Sequence, residues 1–373
     1  MSKKPAATSP ATSASPIHAT VDFDRPGKQH GHLMVPYSYN LGGWANLLVP
    51  ITVIKNGDGP TALASGGNHG DEYPGQIAIM KLCRNLEPSH VRGRLILIPS
   101  LNFPAAKAST RLSPLDGMNL NRAFPGKADG SATSIIAHYL TTVLFPMADI
   151  VIDIHTGGRS MDFVPCATMH LVPDLKQRAA MTAGVEAWNT DISFVYADVA
   201  GSGLLPVEAE NQGKIVVTTE MGGGEPVPSG VHTITQVGLS NVLRHFGVLT
   251  GEPVTRQGLG LPPTRWVQAL SRDDYRFAPE SGVFEALVPL GADVATGQTV
   301  AQIHFLERPD REPVPIIAPT AGVLLATRGP ALVAQGDCVG GLVGPALRPV
   351  FCEIDLLLRG YFARPHRRRR PCD

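Results

Sequence analysis

From about residue 21 to about residue 250 the chain alternates short apolar runs with segments of helical periodicity. After the apolar run 61–64, apolar residues stand at 77, 79, 80, 82, 83 and 86, which is the spacing of one helix face, and Pro74 suits the first turn of that helix. Strand, helix, strand in repeated order predicts an α/β fold with a mixed, largely parallel sheet and flanking helices. Further strands are predicted at 94–99, 148–154 and 215–219, and a further helix at 133–148.

A different pattern begins near Trp266, after the Gly- and Pro-rich segment 251–265. The runs become short and rich in Gly and Val, and segment 281–303 resembles segment 321–343 in its opening Gly-Val and its late Gly. Duplicated hairpins of this kind build small β-barrels or sandwiches, including lipoyl-type carrier folds. A carrier function is excluded because no Lys follows Lys214 to bear a prosthetic group.

The length of 373 residues fits two domains, or one large domain with an appendage. We predict a disordered tail at 1–17, an α/β domain at 18–254, a smaller all-β domain at 255–364 and a basic, flexible tail at 365–373. The first 17 residues lack the apolar segment of a signal peptide, and no apolar run reaches the ~20 residues of a membrane span.

Charge and cysteine content narrow the classes of partner. Lys+Arg and Asp+Glu both total 32, so no net charge attracts nucleic acid or a membrane surface, and the four consecutive arginines near the end are interpreted as a solvated terminus. The five cysteines are scattered without a C-x-x-C pair, which argues against a disulfide framework and favours a reducing cytoplasm. The sequence leaves open whether the protein forms a homo-oligomer.

Three predicted strands end in polar clusters that carry candidate metal ligands. His69 and Glu72 follow the first of these strands, His155 follows the second and Glu220 follows the third. Because ligands bind beyond the carboxyl ends of strands in open α/β sheets, these side chains should meet. Two His and one Glu leave a fourth zinc position for water, and a second Glu can take the proton of that water. Asp71 is interpreted as an orienter of the ligands or as a hydrogen-bond acceptor within the loop.

Each of these features has an ordinary alternative when taken alone. A single His-x-x-Glu arises by chance, His155 could be a satisfied histidine at a sheet edge, and Glu220 could cap a turn. Their joint placement at strand ends favours the metal site. The polar segment 110–126 should reach the same edge and carries Arg111, Asn121 and Arg122, which suit a carboxylate or a developing oxyanion. Its alternative is that these are ordinary surface residues.

Four motifs in order, NHGDE, RLSPLDGMNLNRAFPG, DIHTGG and TTEMGG, resemble those of the succinylglutamate desuccinylase/aspartoacylase family, relatives of the zinc carboxypeptidases. The motifs cover about 60–240, and the β-rich C-terminal part resembles that family's extra domain. The opening TVDFDRPGKQHGHLMVPYS further resembles the N-acetyl-diaminobutyrate deacetylases of ectoine degradation. The resemblance implies a zinc carboxypeptidase-like fold and one zinc ion per chain.

The resemblance also implies a role for each matching residue. It implies that His69, Glu72 and His155 are zinc ligands and that Glu220 is the general base. It implies further that Arg111 polarises the scissile carbonyl and that Asn121 and Arg122 hold the substrate carboxylate.

The function predicted from the sequence is zinc-dependent hydrolysis of a small N-acyl amino acid. One alternative is a zinc carboxypeptidase, which shares the ligands and the base but must admit a peptide. Others are a deacylase of an acidic N-acyl amino acid and a metal-dependent binding module, and the module is disfavoured because binding needs no base. The C-terminal domain discriminates the first two, since a small-molecule deacylase would use it to cover the site.

The charge pattern before the third strand predicts which amino acid is acylated. Family members that act on aspartate- or glutamate-like substrates place an Arg shortly before this strand, whereas residues 189–219 of this chain contain no Arg. The same window carries Asp191, Asp198, Glu208 and Glu210. A second substrate carboxylate would meet like charge there, so we predict a side-chain amine, as in N2-acetyl-2,4-diaminobutyrate. Asp198 and Glu208 are the predicted ammonium partners, with solvated loop acids as the alternative.

Overall fold

The computed structural model describes residues 14–198 and 201–346. Residues 1–13 of the predicted N-terminal tail and the basic tail 365–373 lie outside the described residues, while Ile17 is buried. No helix in the described ranges is both long and apolar enough to cross a membrane.

The strands before residue 251 form most of one large sheet. They are β1 (His18–Ala19), β2 (Gly27–Tyr39), β3 (Gly42–Asn56), β4 (Thr61–Gly66), β5 (Gly93–Ile98), β6 (Ile150–His155), β7 (Met161–Phe163), β8 (Cys166–Met169), β9 (Ile192–Tyr196) and β10 (Ile215–Glu220).

Helices connect or flank these strands. They are α1 (Tyr73–Asn85), α2 (Phe103–Ala108), α3 (Ala132–Tyr139), α4 (Phe145–Met147), α5 (Leu175–Ala187), α6 (Leu205–Asn211) and α7 (Ser229–His245), with 3₁₀ turns at Pro88–His90, Leu120–Arg122 and Arg272–Asp274.

Short strands dominate the C-terminal part. They are β11 (Arg265–Ala269), β12 (Tyr275–Phe277), β13 (Gly282–Ala286), β14 (Asp293–Val294), β15 (Thr299–His304), β16 (Val314–Ile317), β17 (Gly322–Arg328), β18 (Leu332–Val333) and β19 (Cys338–Pro345).

The large sheet is mixed, as predicted, but its parallel pairing is confined to the centre. Its order is β1-β2-β3-β5-β4-β6-β10-β8-β9-β11-β19-β17-β14, with β12 on β19 and β7 on β17. β5, β4, β6 and β10 run parallel to one another, and β8, β9 and β11 form a second parallel group that is antiparallel to β10. The hairpin β2–β3 and the C-terminal strands pair antiparallel because short connections cannot join parallel neighbours.

The central strands are buried on both faces, which is why they read as continuous apolar runs. Every residue of β4 and of β6 is buried. α1 starts with Pro74 in its first turn and places Ala78, Ile79 and Leu82 in the core. The main hydrophobic core lies between this sheet and its helices, below the strand ends that carry the polar clusters.

The helix predicted at 133–148 is interrupted. α3 passes into a π-helical turn at Leu140–Leu144 before α4. Pro146 of α4 has no N–H to donate, and the Thr142 hydroxyl donates to the His138 carbonyl oxygen over 2.7 Å. Both features disturb the regular backbone ladder at this point, which accounts for the wider turn.

The internal repeat predicted from the sequence is present in the structure. β13–β14–β15 and β17–β18–β19 are the two copies, and the short strand of each copy pairs with a long strand of the other, β14 with β17 and β18 with β13. The two long strands of the first copy, β13 and β15, form a separate antiparallel sheet with β16 and with β18 of the second copy, in the order β16-β15-β13-β18. The second copy joins the large sheet through β11, which pairs with β9. The boundary at 254/255 stays a prediction.

Candidate metal and catalytic site

Three adjacent strands of the sheet deliver the predicted site residues to one edge. β4, β6 and β10 are neighbours and run parallel, so the loops after their carboxyl ends meet. The turn after β4 depends on glycine: Gly67 has φ +65°, and a Cβ on Gly70 would lie 2.0 Å from the Ala105 carbonyl carbon. The loop therefore packs against α2 closely enough to fix His69 and Glu72.

The structure brings His69, Glu72 and His155 together as a buried triad. His69 Nδ1 lies 2.7 Å from Glu72 Oε1, and His155 Nδ1 lies 3.0 Å from Glu72 Oε2. One ligand atom from each of the three residues lies within 4.8 Å of the others. The arrangement is compact enough for one ion to contact all three side chains.

The outer nitrogens of both imidazoles are held by acceptors. His155 Nε2 donates to Asp153 over 2.8 Å, and His69 Nε2 lies 3.1 Å from Asn119 Oδ1. Asp153 also accepts from Ser65. With Nε2 held by these acceptors, Nδ1 of each ring is the nitrogen that faces Glu72, and it becomes a metal ligand when it gives up its proton, the usual arrangement of metal-binding histidines. The donor set therefore fits a divalent metal ion.

The electrostatics of the triad favour an ionised carboxylate. Burial alone would raise the pKa of Glu72, but the charges of His69 and His155 hold it well below its ordinary value. Burial lowers the pKa of His69, against the influence of Glu72. Burial would also lower the pKa of His155, but Asp153 and Glu72 raise it well above the ordinary value. A cation between these groups would replace the charge that His155 carries.

Glu220 stands beside the triad in a different environment. Its Cα pairs with that of His155 on one side and that of Cys166 on the other. Its Oε2 is buried and has no hydrogen-bond partner within the described ranges. Burial and, next, the charge of Glu72 raise the pKa of Glu220 to about 8. A buried carboxylate with a raised pKa and a free oxygen is suited to accept and return a proton.

Asp71 serves the loop rather than the ligands. Its carboxylate accepts from the Arg159 backbone N–H over 3.0 Å, which is the second of the two roles considered for it. Arg111 does reach the triad: its Nη1 lies 3.3 Å from His69 Nδ1 and 3.4 Å from Glu72 Oε1. The Arg111 side chain is 41% exposed, so it can meet both the triad and a ligand.

Asn121 and Arg122 lie on the 3₁₀ turn that follows Asn119. Asn121 Oδ1 accepts from the Leu205 N–H at the start of α6, which leaves its amide N–H₂ as the group available to a ligand. Arg122 Nη1 donates to the Asn121 carbonyl oxygen over 2.7 Å, and Gly203 packs against its backbone. Since Asn119 touches His69, the turn that carries both residues begins at the triad.

The two predicted ammonium partners lie in different places. Glu208 is half-buried and accepts from Gln212 Nε2 one turn further along, which also donates to the Thr141 carbonyl oxygen. Asp198 follows β9. Asp198 is the weakest of the charges that, after burial, raise the pKa of Tyr275, behind Cys338, Asp274 and Glu220.

The sequence interpretation overlooked Asp153 and Asn119. Asp153 had a signal, because a charged residue inside the run IVIDIH must find a partner when the strand is buried. Asn119 had none, since it is one of several polar residues in an irregular loop.

Comparisons with known proteins show which proteins this chain is similar to. The profile of the succinylglutamate desuccinylase/aspartoacylase catalytic domain matches residues 58–246. The N-alpha-acetyl-L-2,4-diaminobutyric acid deacetylase of Halomonas elongata is 41% identical over 341 residues, which are 91% of this chain and 97% of the relative.

Two solved structures superpose over nearly their whole length. The product-bound structure of an ectoine utilization protein from Ruegeria pomeroyi has a TM-score of 0.85 and 40% identity, covering 89% of this chain and 99% of that one. A succinylglutamate desuccinylase/aspartoacylase from Rhodobacter sphaeroides has a TM-score of 0.85 and 40% identity, covering 89% and 100%.

Proposed function

Because the chain belongs to the succinylglutamate desuccinylase/aspartoacylase family, as its four motifs predict, we propose that it is a zinc-dependent deacetylase of N2-acetyl-L-2,4-diaminobutyrate. The products are acetate and L-2,4-diaminobutyrate, in the degradation of ectoine. The observation that carries the chemistry is the unpartnered oxygen of Glu220 beside the buried triad. The substrate is that in the name of the Halomonas relative.

Zinc is the proposed metal, one ion per chain. Two imidazoles and one carboxylate are typical ligands of catalytic zinc sites and leave a position for water. When bound, zinc supplies a Lewis acid and makes that water acidic enough to lose a proton near neutral pH. His69, Glu72 and His155 would hold the ion, with Asp153 and Asn119 orienting the two imidazoles.

Glu220 is the proposed general base and acid. It takes a proton from the water that attacks the acetyl carbonyl carbon. After the C–N bond breaks, it returns that proton to the leaving amine. Arg111, whose guanidinium reaches the triad, stabilises the negative charge that develops on the carbonyl oxygen.

Asn121 and Arg122 are the proposed binding groups for the substrate α-carboxylate. The guanidinium supplies a planar pair of donors that matches the two carboxylate oxygens, and the Asn121 amide adds a third. For the side-chain ammonium the window before β10 supplies acids, among them Asp198 and Glu208.

The C-terminal strands favour a small substrate over a peptide. Phe163, Tyr196 and Tyr275 pack against a buried cluster that includes Cys166 of β8 and Val323, Leu325 and Val343 of β17 and β19. Cys166 is the strand partner of Glu220, so this layer borders the face that carries Glu220. A carboxypeptidase would need an open groove there.

We place the enzyme in the cytoplasm, where its three described cysteines, all unpaired, stay reduced.

The test is an assay of the purified protein against N2-acetyl-2,4-diaminobutyrate, N-acetyl-aspartate and a dipeptide, with and without a chelator. We expect the diaminobutyrate derivative to have the highest kcat/KM and the chelator to abolish turnover until zinc is restored. Preference for the aspartate derivative would overturn the substrate, preference for the dipeptide would favour a carboxypeptidase, and full activity after chelation would overturn the metal.

A further inference from the structure

A second histidine–glutamate pair is buried away from the triad. His170 directly follows β8 and is 8% exposed, and Glu210 lies on α6 and is 9% exposed. His170 Nδ1 lies 3.0 Å from each oxygen of the Glu210 carboxylate. Neither residue has a role in the mechanism above.

This pair lies on the face of the sheet that carries Glu220. The Cα pairs Glu220–Cys166 and Thr218–Thr168 fix the register of β10 and β8, and the hydroxyls of Thr218 and Thr168 are 2.5 Å apart. Because residues two apart on a strand share a face, a strip of side chains leads from Glu220 past the two threonines towards His170.

Tyr196 connects the pair to the catalytic end of this strip. Its ring centroid lies 4.2 Å from that of His170. Burial raises the pKa of Tyr196 well above its ordinary value, and the charges of Glu210 and, more weakly, Glu220 add to the effect. The phenol therefore packs on His170 and lies close enough to Glu210 and Glu220 for both charges to act on it.

The pair is incomplete as it stands. His170 Nε2 is buried and has no hydrogen-bond partner within residues 14–198 and 201–346. With Nδ1–H donating to Glu210, the Nε2 of the neutral imidazole keeps its lone pair and accepts. A neutral imidazole also leaves the buried carboxylate with its negative charge, which is costly without a counter-charge. A ligand that carries both positive charge and N–H donors would satisfy both groups.

We propose that Glu210, His170 and Tyr196 form the subsite that binds the side-chain ammonium of the substrate. The inference rests on the proposed function and names the residues that determine its substrate specificity. An ammonium offers three donors, and Glu210, His170 Nε2 and the Tyr196 hydroxyl offer acceptors. Glu210 lies in the same acidic window, 189–219, as Glu208. The sequence argument for an acid that binds the ammonium is therefore kept, but Glu210 takes this role in place of Asp198 and Glu208.

The experiment measures discrimination between two acyl amino acids of equal shape. N2-acetyl-2,4-diaminobutyrate and N-acetyl-norvaline differ by an ammonium in place of a methyl group. For the zinc-loaded wild type and each variant, kcat/KM is measured on both. Glu210→Gln keeps the size and the contact to His170 but removes the charge, so the preference for the diaminobutyrate derivative should fall by about 10–100-fold, the scale of one charged hydrogen bond. His170→Asn keeps a donor towards Glu210 and removes the Nε2 acceptor, so it should lose part of the preference.

Glu285→Gln is the matched control. Glu285 pairs with His304 over 2.7 Å on the exposed surface of the separate sheet, so the same substitution should leave both substrates unchanged. Glu208→Gln and Asp198→Asn are the rival assignments, and a collapse of the preference in either of them, with Glu210→Gln intact, would overturn the proposal.

Two further outcomes separate the proposal from a structural role and from the proposed function. Equal loss on both substrates in Glu210→Gln would show that the pair only supports the fold and would also overturn the subsite. If the wild type prefers N-acetyl-aspartate, the proposed function fails with it. If the wild type prefers the diaminobutyrate derivative and Glu210→Gln keeps that preference, only the subsite fails. Calorimetric affinity for free 2,4-diaminobutyrate against norvaline gives the same comparison without turnover.

Discussion

Glu72 and Glu220 stand at the same edge of the sheet, yet their surroundings drive them to opposite charge states. Glu72 is surrounded by donors: His69, His155, Arg111 and the Thr156 N–H all approach its oxygens. Glu220 has a buried oxygen with no hydrogen-bond partner among the described residues, and its pKa is raised to about 8. The number of donors around a carboxylate decides whether it holds a cation or exchanges a proton.

The largest effect should come from removing the donors around Glu72. The double variant His69→Ala/His155→Ala is expected to lose zinc and all measurable turnover while keeping its secondary structure, because both residues lie at the sheet edge and not in the core. Metal analysis and circular dichroism measure the two properties. Full zinc occupancy in this variant would refute the metal assignment.

The second-largest effect should come from a change at Glu220, the carboxylate without hydrogen-bond donors. Glu220→Gln keeps the shape but cannot accept a proton, so kcat should fall by about 10²–10⁴ with zinc content unchanged. Glu225→Gln is the control, since Glu225 is an exposed residue paired with Arg159. If Glu220→Gln stays within about tenfold of the wild type, another carboxylate acts as the base.

A smaller effect should follow from a change that touches neither glutamate. Arg122→Lys replaces a planar pair of donors by a point charge, so KM should rise by about tenfold with kcat nearly unchanged. Steady-state kinetics on N2-acetyl-2,4-diaminobutyrate separate the two constants. A fall in kcat at constant KM would place Arg122 in the chemical step and not in carboxylate binding.

The smallest effect is on stability in the metal-free protein. The folded Glu220 carboxyl, with a pKa of about 8, holds its proton where the unfolded one, with a pKa near 4.5, has lost it, so this group makes folding less favourable as pH rises from 4.5 to 8. Glu220→Gln removes this dependence. After chelation it should be more stable than the wild type by on the order of 1–3 kcal/mol at pH 8, with the difference vanishing near pH 4.5. Urea unfolding at both pH values measures it, and an equal difference at both would contradict the raised pKa.

The strands that carry the triad were predictable because strands buried on both faces are written as unbroken apolar runs. The orientation of β8 was not, since strand direction depends on how β7 and the C-terminal strands pair. The His170–Glu210 pair could not be predicted for the same reason. Because β8 runs antiparallel to β10, His170 lies towards the amino end of β10, where α6 places Glu210. Forty residues separate the two in sequence, and neither belongs to a motif. Of the acids before β10, only the fold distinguishes Glu210, which is buried against His170, from Glu208, which is half-buried and contacts Gln212.

The pairing of β11 with β9 has a consequence for anyone who would shorten this protein. Residues 255–373 look like a detachable unit in the sequence, but their first strand completes the hydrogen bonding of β9 over Ile192–Tyr196. Deleting them would turn β9 into a bare sheet edge with an apolar face, and such edges recruit strands from other molecules. The truncated protein is therefore expected to self-associate rather than to present an uncovered active site. Access to the site is better tested by a substitution at Tyr275, which leaves the edge of β9 sealed.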